Sequence, residues 1–87
     1  MKNFDLSEIV VIDKNNGKGK LYLIESYENK RAFEHREWRF KPYLVRGTKA
    51  QALKEAEQLA KTEQVITSVC ESDEHLNRNG YGRVYGL

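Results

Sequence analysis

The stretch TKAQALKEAEQLAK, residues 48–61, constrains this chain more than any other part of it. Thr48 and Gln51 stand at capping-box spacing, where the two side chains satisfy free backbone N–H groups reciprocally. Strong helix formers follow almost without interruption. Leu53, Ala56, Leu59 and Ala60 fall on one stripe at helical spacing, with Ala52 beside it. Lys54, Glu55, Glu57, Gln58 and Lys61 take the opposite face, and Glu57 and Lys61 are ordered for a weak i,i+4 ion pair. Because the apolar stripe is narrow and built of small residues, this helix can lie close to a sheet.

The rest of the chain supplies that sheet. Residues 7–13 (SEIVVID), 21–27 (LYLIESY) and 64–70 (QVITSVC) are rich in β-branched residues and read as strands. Asn16-Gly17 is a hairpin signal, since both residues tolerate positive φ, and predicts antiparallel pairing of 7–13 with 21–27. Residues 28–30 form the next turn. Residues 31–46 (RAFEHREWRFKPYLVR) read as a strand broken near Pro42, which cannot donate to a ladder. Alternation there puts Trp38, Phe40 and Leu44 on one face and Arg31, His35, Arg39 and Lys41 on the other. A bulge at Pro42 would turn Tyr43 and Val45 inward instead. A short helix over 30–37 is the alternative for the first half. The acidic run 71–74 ends the strand after the helix, residues 77–80 (NRNG) form a turn cluster, and Val84 marks an optional last strand. The order β-β-β-α-β, with a possible final β, defines a single α+β domain over residues 1–87. One amphipathic helix packs on one face of a small antiparallel or mixed sheet. The step from 31–46 through the helix to 64–70 is a crossover, right-handed if its strands are parallel in one sheet.

Composition excludes several classes. With 87 residues there is room for one core. No apolar run approaches the roughly 20 residues of a membrane span. Acids interrupt the N-terminal MKNFDLSEIV, unlike a secretion signal. The single Cys70 cannot form an internal disulfide, which fits a reducing cytosol and a cytoplasmic protein.

The formal net charge of +2 conceals blocks of opposite sign. Residues 11–50 carry ten bases and five acids, whereas residues 51–76 carry two bases and six acids. The tail adds Arg78 and Arg83. Such a dipolar surface can orient an encounter with a charged partner.

Catalytic and metal-binding patterns are weak. His35, His75, Cys70 and Asp73 lack the close spacing of a structural zinc site. Cys70 inside a strand pattern is not poised against either histidine, and Glu34 and Glu37 fall on opposite faces of a strand. The chain therefore reads as non-enzymatic, with no cofactor. Its chemistry is that of binding. The stretch KRAFEHREWRFKPY interleaves bases with Phe33, Trp38, Phe40 and Tyr43, and the tail NGYGRVYG repeats Tyr, Gly and Arg. Arg, Trp and Tyr dominate interface hot spots. Arg31, His35, Arg36, Trp38, Arg39, Lys41 and Tyr43, with Tyr81, Arg83 and Tyr85 of the tail, are the candidate partner-binding residues. The same mixture suits single-stranded RNA or DNA, with the sheet face opposite the helix as the platform. An unpaired sheet edge offers strand addition or a homodimer.

The segment RFKPYLVRGTKAQALKEAEQLAKTEQVITSVCES resembles the strand–helix–strand unit of small bacteriophage host-takeover proteins, which include RNA polymerase inhibitors and anti-CRISPR proteins. The resemblance covers residues 39–72. It implies a non-enzymatic protein that acts by occupying a host protein or nucleoprotein complex, and it carries over no functional residue.

Overall fold

Every residue from Leu21 to Tyr27 is buried, and that one strand organises the molecule. A strand buried on both faces needs neighbours at both edges and cover above and below. The computed structural model describes residues 8–87, Tyr81 by its backbone alone. Its elements are β1 (Val11–Asp13), β2 (Lys20–Tyr27), α1 (Lys30–Glu34), β3 (Tyr43–Gly47), α2 (Lys49–Glu63), β4 (Ile66–Ser72) and β5 (Arg78–Tyr85). They build one five-stranded sheet in the order β1-β3-β2-β4-β5. β2 runs antiparallel to both β3 and β4, β5 is antiparallel to β4, and β1 is parallel to β3. The predicted α+β architecture, mixed sheet and final strand are all present.

The predicted hairpin is not. Asn16 and Gly17 do form a turn, with φ of 52° and 77° and a Lys18 N–H that donates to Asn15 O at 3.0 Å. The strands on either side of it never pair, because β3 lies between them. Val11 is opposite Leu44 and Leu23 is opposite Leu44 from the other side. The turn leans on α2 instead. Gln51 Nε2 donates to Lys14 O at 3.0 Å, and Lys14 meets Glu55 at 3.6 Å. The strand expected over 7–13 is short; its described portion is residues 11–13, and residue 7 lies outside the described residues.

The expected strand over 31–46 is also corrected. Its first half is α1, the helical alternative, capped by Asn29, whose Oδ1 accepts the Ala32 N–H at 2.9 Å. Only Tyr43–Gly47 is strand, beginning directly after the buried Pro42. The two faces assigned to residues 31–41 therefore do not exist. Trp38, outside the named strands, forms an isolated bridge to Tyr27.

α2 follows the sequence closely. Thr48 and Gln51 form both halves of the capping box. Ala52 and Ala56 are fully buried against Tyr22, Ile24, Val45 and Val69, with Tyr43, Leu53, Leu59 and Tyr85 around them. The helix comes near enough for Thr67 Oγ1, on β4, to donate to Ala56 O at 2.8 Å. Glu57 and Lys61 pair at 3.2 Å. β3 and β4, joined by α2, are parallel to each other with β2 between them. On the far side of the sheet, Leu21, Leu23, Leu44 and Cys70 form a second apolar cluster, covered by Ile9 and Leu76. The cluster predicted as a turn at 77–80 is instead mostly β5. The reversal lies one step earlier, where Asp73 accepts N–H groups from His75 at 2.8 Å and Asn77 at 3.0 Å.

Candidate binding cleft around Glu25

Glu25 sits in the middle of β2 on the face away from α2 and is 2% exposed. A carboxylate removed from water is costly unless cations and hydrogen-bond donors replace its hydration. Three side chains do so. Trp38 Nε1 donates to Oε2 at 2.8 Å, Ser68 Oγ donates to Oε1 at 3.3 Å, and the Arg78 guanidinium forms an ion pair with Oε1. Each arrives by a traceable route. Ser68 is the register partner of Glu25 across β2–β4. Arg78 opens β5 opposite Ser72. Trp38 is held by its bridge to Tyr27 and by the Arg39 N–H, which donates to Ser26 O at 2.7 Å.

α1 closes one side of this cluster. The ring of Phe33 stands edge-on to Tyr27 with centroids 5.2 Å apart. Arg36 follows α1 at φ 55°, and its guanidinium lies 5.1 Å above the Phe33 ring. Between α1 and β5 opens a cleft of about 270 Å³, lined by Glu25, Phe33, Arg36, Ser68, Cys70, Arg78, Gly80, Gly82 and Val84. Gly82 brings the β5 backbone close to β4, since a side chain there would meet Val69 O at 3.0 Å.

The electrostatics follow from burial and from Glu25. Burial raises the Tyr27 hydroxyl above its ordinary range, and the Glu25 charge adds to the rise. Arg36 and Arg78 act in the opposite direction. That hydroxyl is buried without a hydrogen-bonding partner; Arg36 is near enough to act on it but outside bonding geometry. Burial works to lower the pKa of Arg78, and Glu25, by charge and hydrogen bond, more than offsets this. Burial pushes the Cys70 thiol up, opposed by Arg78 and assisted by Glu25.

The candidate partner-binding residues do not share one surface. Arg36 lines the cleft and Trp38 braces its carboxylate. Arg31 and His35 are exposed on and just after α1, beside a separate depression with Glu28 and Glu37. Arg39 covers the Phe40 ring at 4.6 Å, and Lys41 Nζ donates to Glu8 O at 2.9 Å. Tyr43 lies on the α2 side, where its hydroxyl donates to Glu55 at 3.2 Å. Arg83 stacks on Tyr85 at 5.8 Å, and Tyr85 packs against the α2-side core. Tyr81 is in β5, and its side chain is outside the described residues.

The sheet face opposite α2 is not the open platform expected, because Leu21, Leu23, Glu25 and Tyr27 are all buried. Sequence reading also passed over Glu25, Tyr27 and Arg78. The available signal was one carboxylate in the middle of an otherwise apolar run, LYLIESY, since an acid there must find a cation. Among the described residues, no three His, Cys, Asp or Glu side chains gather as metal donors, and no helix is long and apolar enough to cross a membrane. No protein family, curated protein or solved structure matches this chain.

Proposed function

We propose that this chain is a binding protein that occupies a surface of a larger protein or nucleoprotein complex. The contact region is the outer edge of β5 with the adjoining surface of α1 and Arg36. The observation that carries this reading is the position of β5. It is eight residues long and ends the sheet order, so its outer edge meets no strand of this chain among the described residues. The opposite edge, β1, is only three residues long. Natural sheets shorten or shield their edges, and a long one left open is a template for an added strand. Arg83 is exposed on β5, and Arg78 is 41% exposed at its start, which favours an acidic partner strand. The resemblance of residues 39–72 to phage host-takeover proteins gives the kind of target, a bacterial host machine in the cytoplasm. A single buried thiol suits that reducing compartment.

The test is capture from bacterial lysate on the tagged chain. One stoichiometric protein should be retained, and Arg83→Glu, at an exposed position and shown by its melting temperature to be folded, should release it. Unchanged capture by that variant refutes the β5 edge. Two other outcomes replace the reading. Tight binding of fluorescent single-stranded RNA with a steep salt dependence makes it a nucleic-acid-binding protein. A dimer by light scattering makes the edge a self-pairing surface.

A further inference from the structure

The cleft between α1 and β5 holds an excess of positive charge. Arg36 and Arg78 both line it, and Glu25 is its one acidic side chain. Glu25 is already committed to Arg78, Trp38 and Ser68. Arg36 stacks on Phe33 and makes no ion pair with any described residue. A guanidinium presents five N–H donors in a planar fork, so one ion pair leaves most of the Arg78 fork unused. Arg78 is also 41% exposed and can reach a group arriving from solvent. Near Arg36, the buried Tyr27 hydroxyl makes no hydrogen bond of normal geometry. A buried polar group left unsatisfied costs about 1–3 kcal/mol and calls for an explanation. Phe33 and Val84 give the cleft apolar walls, and charge-assisted hydrogen bonds to a guanidinium are stronger than neutral ones.

We propose that this cleft is a binding site for an oxyanion, a carboxylate or phosphate group clamped between the guanidinium groups of Arg36 and Arg78. Arg36 supplies the unpaired charge. Arg78 supplies a second fork, oriented from behind by Glu25. The stacked Phe33 keeps Arg36 in place, which lowers the entropy lost on binding. The site shares Arg78 with the proposed β5 contact but needs no added strand, and its ligand can be an acidic side chain of a partner or a free small anion.

Trp38 makes the site observable. It is the sole tryptophan and is linked to Arg78 through Glu25, so a ligand pulling on Arg78 changes the indole environment. Whole protein is titrated with sodium phosphate and, separately, with an acetylated hexaglutamate peptide at fixed ionic strength. Trp38 emission and calorimetric heat are followed together. At least one probe should saturate. Arg36→Gln, at an exposed position that leaves Glu25, Trp38 and Arg78 in contact, should weaken that binding about tenfold or more, and Arg36→Lys should be intermediate because it keeps charge but loses the fork. Saturation by phosphate identifies a free anion as sufficient; saturation by the peptide alone identifies a partner's acidic segment. No saturation with either probe by heat, or equal affinity in Arg36→Gln, overturns the proposal. Loss of anion binding in Arg36→Gln with protein capture intact would separate this site from the β5 contact.

Discussion

The indole N–H of Trp38 donates to the buried carboxylate of Glu25 at 2.8 Å. This bond joins the segment after α1 to the central strand. Trp38→Phe keeps a ring in place and removes that donor. Hydrogen bonds to charged groups contribute about 1.5–3 kcal/mol, so a loss near 2 kcal/mol is expected, read as a lower urea midpoint. An unchanged midpoint would show that the Trp38 ring, rather than its N–H, holds the segment.

Glu25 and Arg78 should respond asymmetrically to mutation. Glu25 is 2% exposed, whereas Arg78 is 41% exposed. In Glu25→Gln the arginine turns to water, and the cost stays near 1 kcal/mol. Arg78→Ala strands a buried carboxylate on two neutral donors, at a cost of about 3 kcal/mol. The double variant Glu25→Gln/Arg78→Ala should be more stable than Arg78→Ala alone. Chemical denaturation of the three proteins ranks them, and a less stable Glu25→Gln than Arg78→Ala contradicts the account.

Alkaline pH should destabilise the fold by favouring the unfolded state, in which its buried tyrosines ionise more readily. Burial and then Glu55, by charge and hydrogen bond, push the Tyr43 hydroxyl up; burial and Glu25 push up that of Tyr27. Both native values exceed the unfolded value of 10.0. Their contribution is thus complete below pH 10 and is lost as pH rises toward the native values. Thermal melts at pH 9 and 11, with phenolate absorbance, should show unfolding and ionisation rising together. Tyr43→Phe should reduce the pH dependence.

Acid should loosen the β4–β5 turn. Asp73 is held below 3.8 by the side chain and N–H of Asn77 and the N–H of His75. A depressed carboxylate contributes above its unfolded value, and that contribution disappears as pH falls through the lower native one. Protection of the Asn77 amide from exchange, relative to its intrinsic rate, should therefore fall below about pH 4. Asp73→Ala should show fast exchange at neutral pH already.

Gly19 tests the approach of two strands. It sits at φ 95°, and a Cβ there would lie 2.5 Å from Gly47 O. That oxygen belongs to β3 backbone opposite Lys20, so it cannot swing aside. Gly19→Ala should cost at least 2 kcal/mol, roughly, through clash and strain together. A wild-type melting temperature would show that the β2–β3 pairing yields more easily than the contact implies.

Local chemistry was legible where local interactions decide. Thr48 and Gln51 cap α2 as their spacing predicts, and the alanine stripe lies against the sheet. Asn16-Gly17 forms its turn, but a turn specifies only a reversal; the apolar faces of Leu44 and Val45 win the place beside β2. The α1 segment misled because its pattern fits one helical turn as well as a strand. The Asn29 cap and the Tyr27–Phe33 contact settle it, and the second of these is tertiary. Trp38 and Arg78 are far apart in sequence and meet at Glu25, so no spacing rule could join them.

The position of β3 between β1 and β2 has a consequence for assembly during synthesis. β2 leaves the ribosome before either neighbour exists, since Tyr43–Gly47 and Ile66–Ser72 both come later. Until then it is an apolar strand with two bare edges, the kind of segment that aggregates. β4 and β5, joined by the short Asp73 turn, are the pair best placed to form early. β1 can dock only after β3 is seated, so it is made before β2 and β3 yet is among the last to fold.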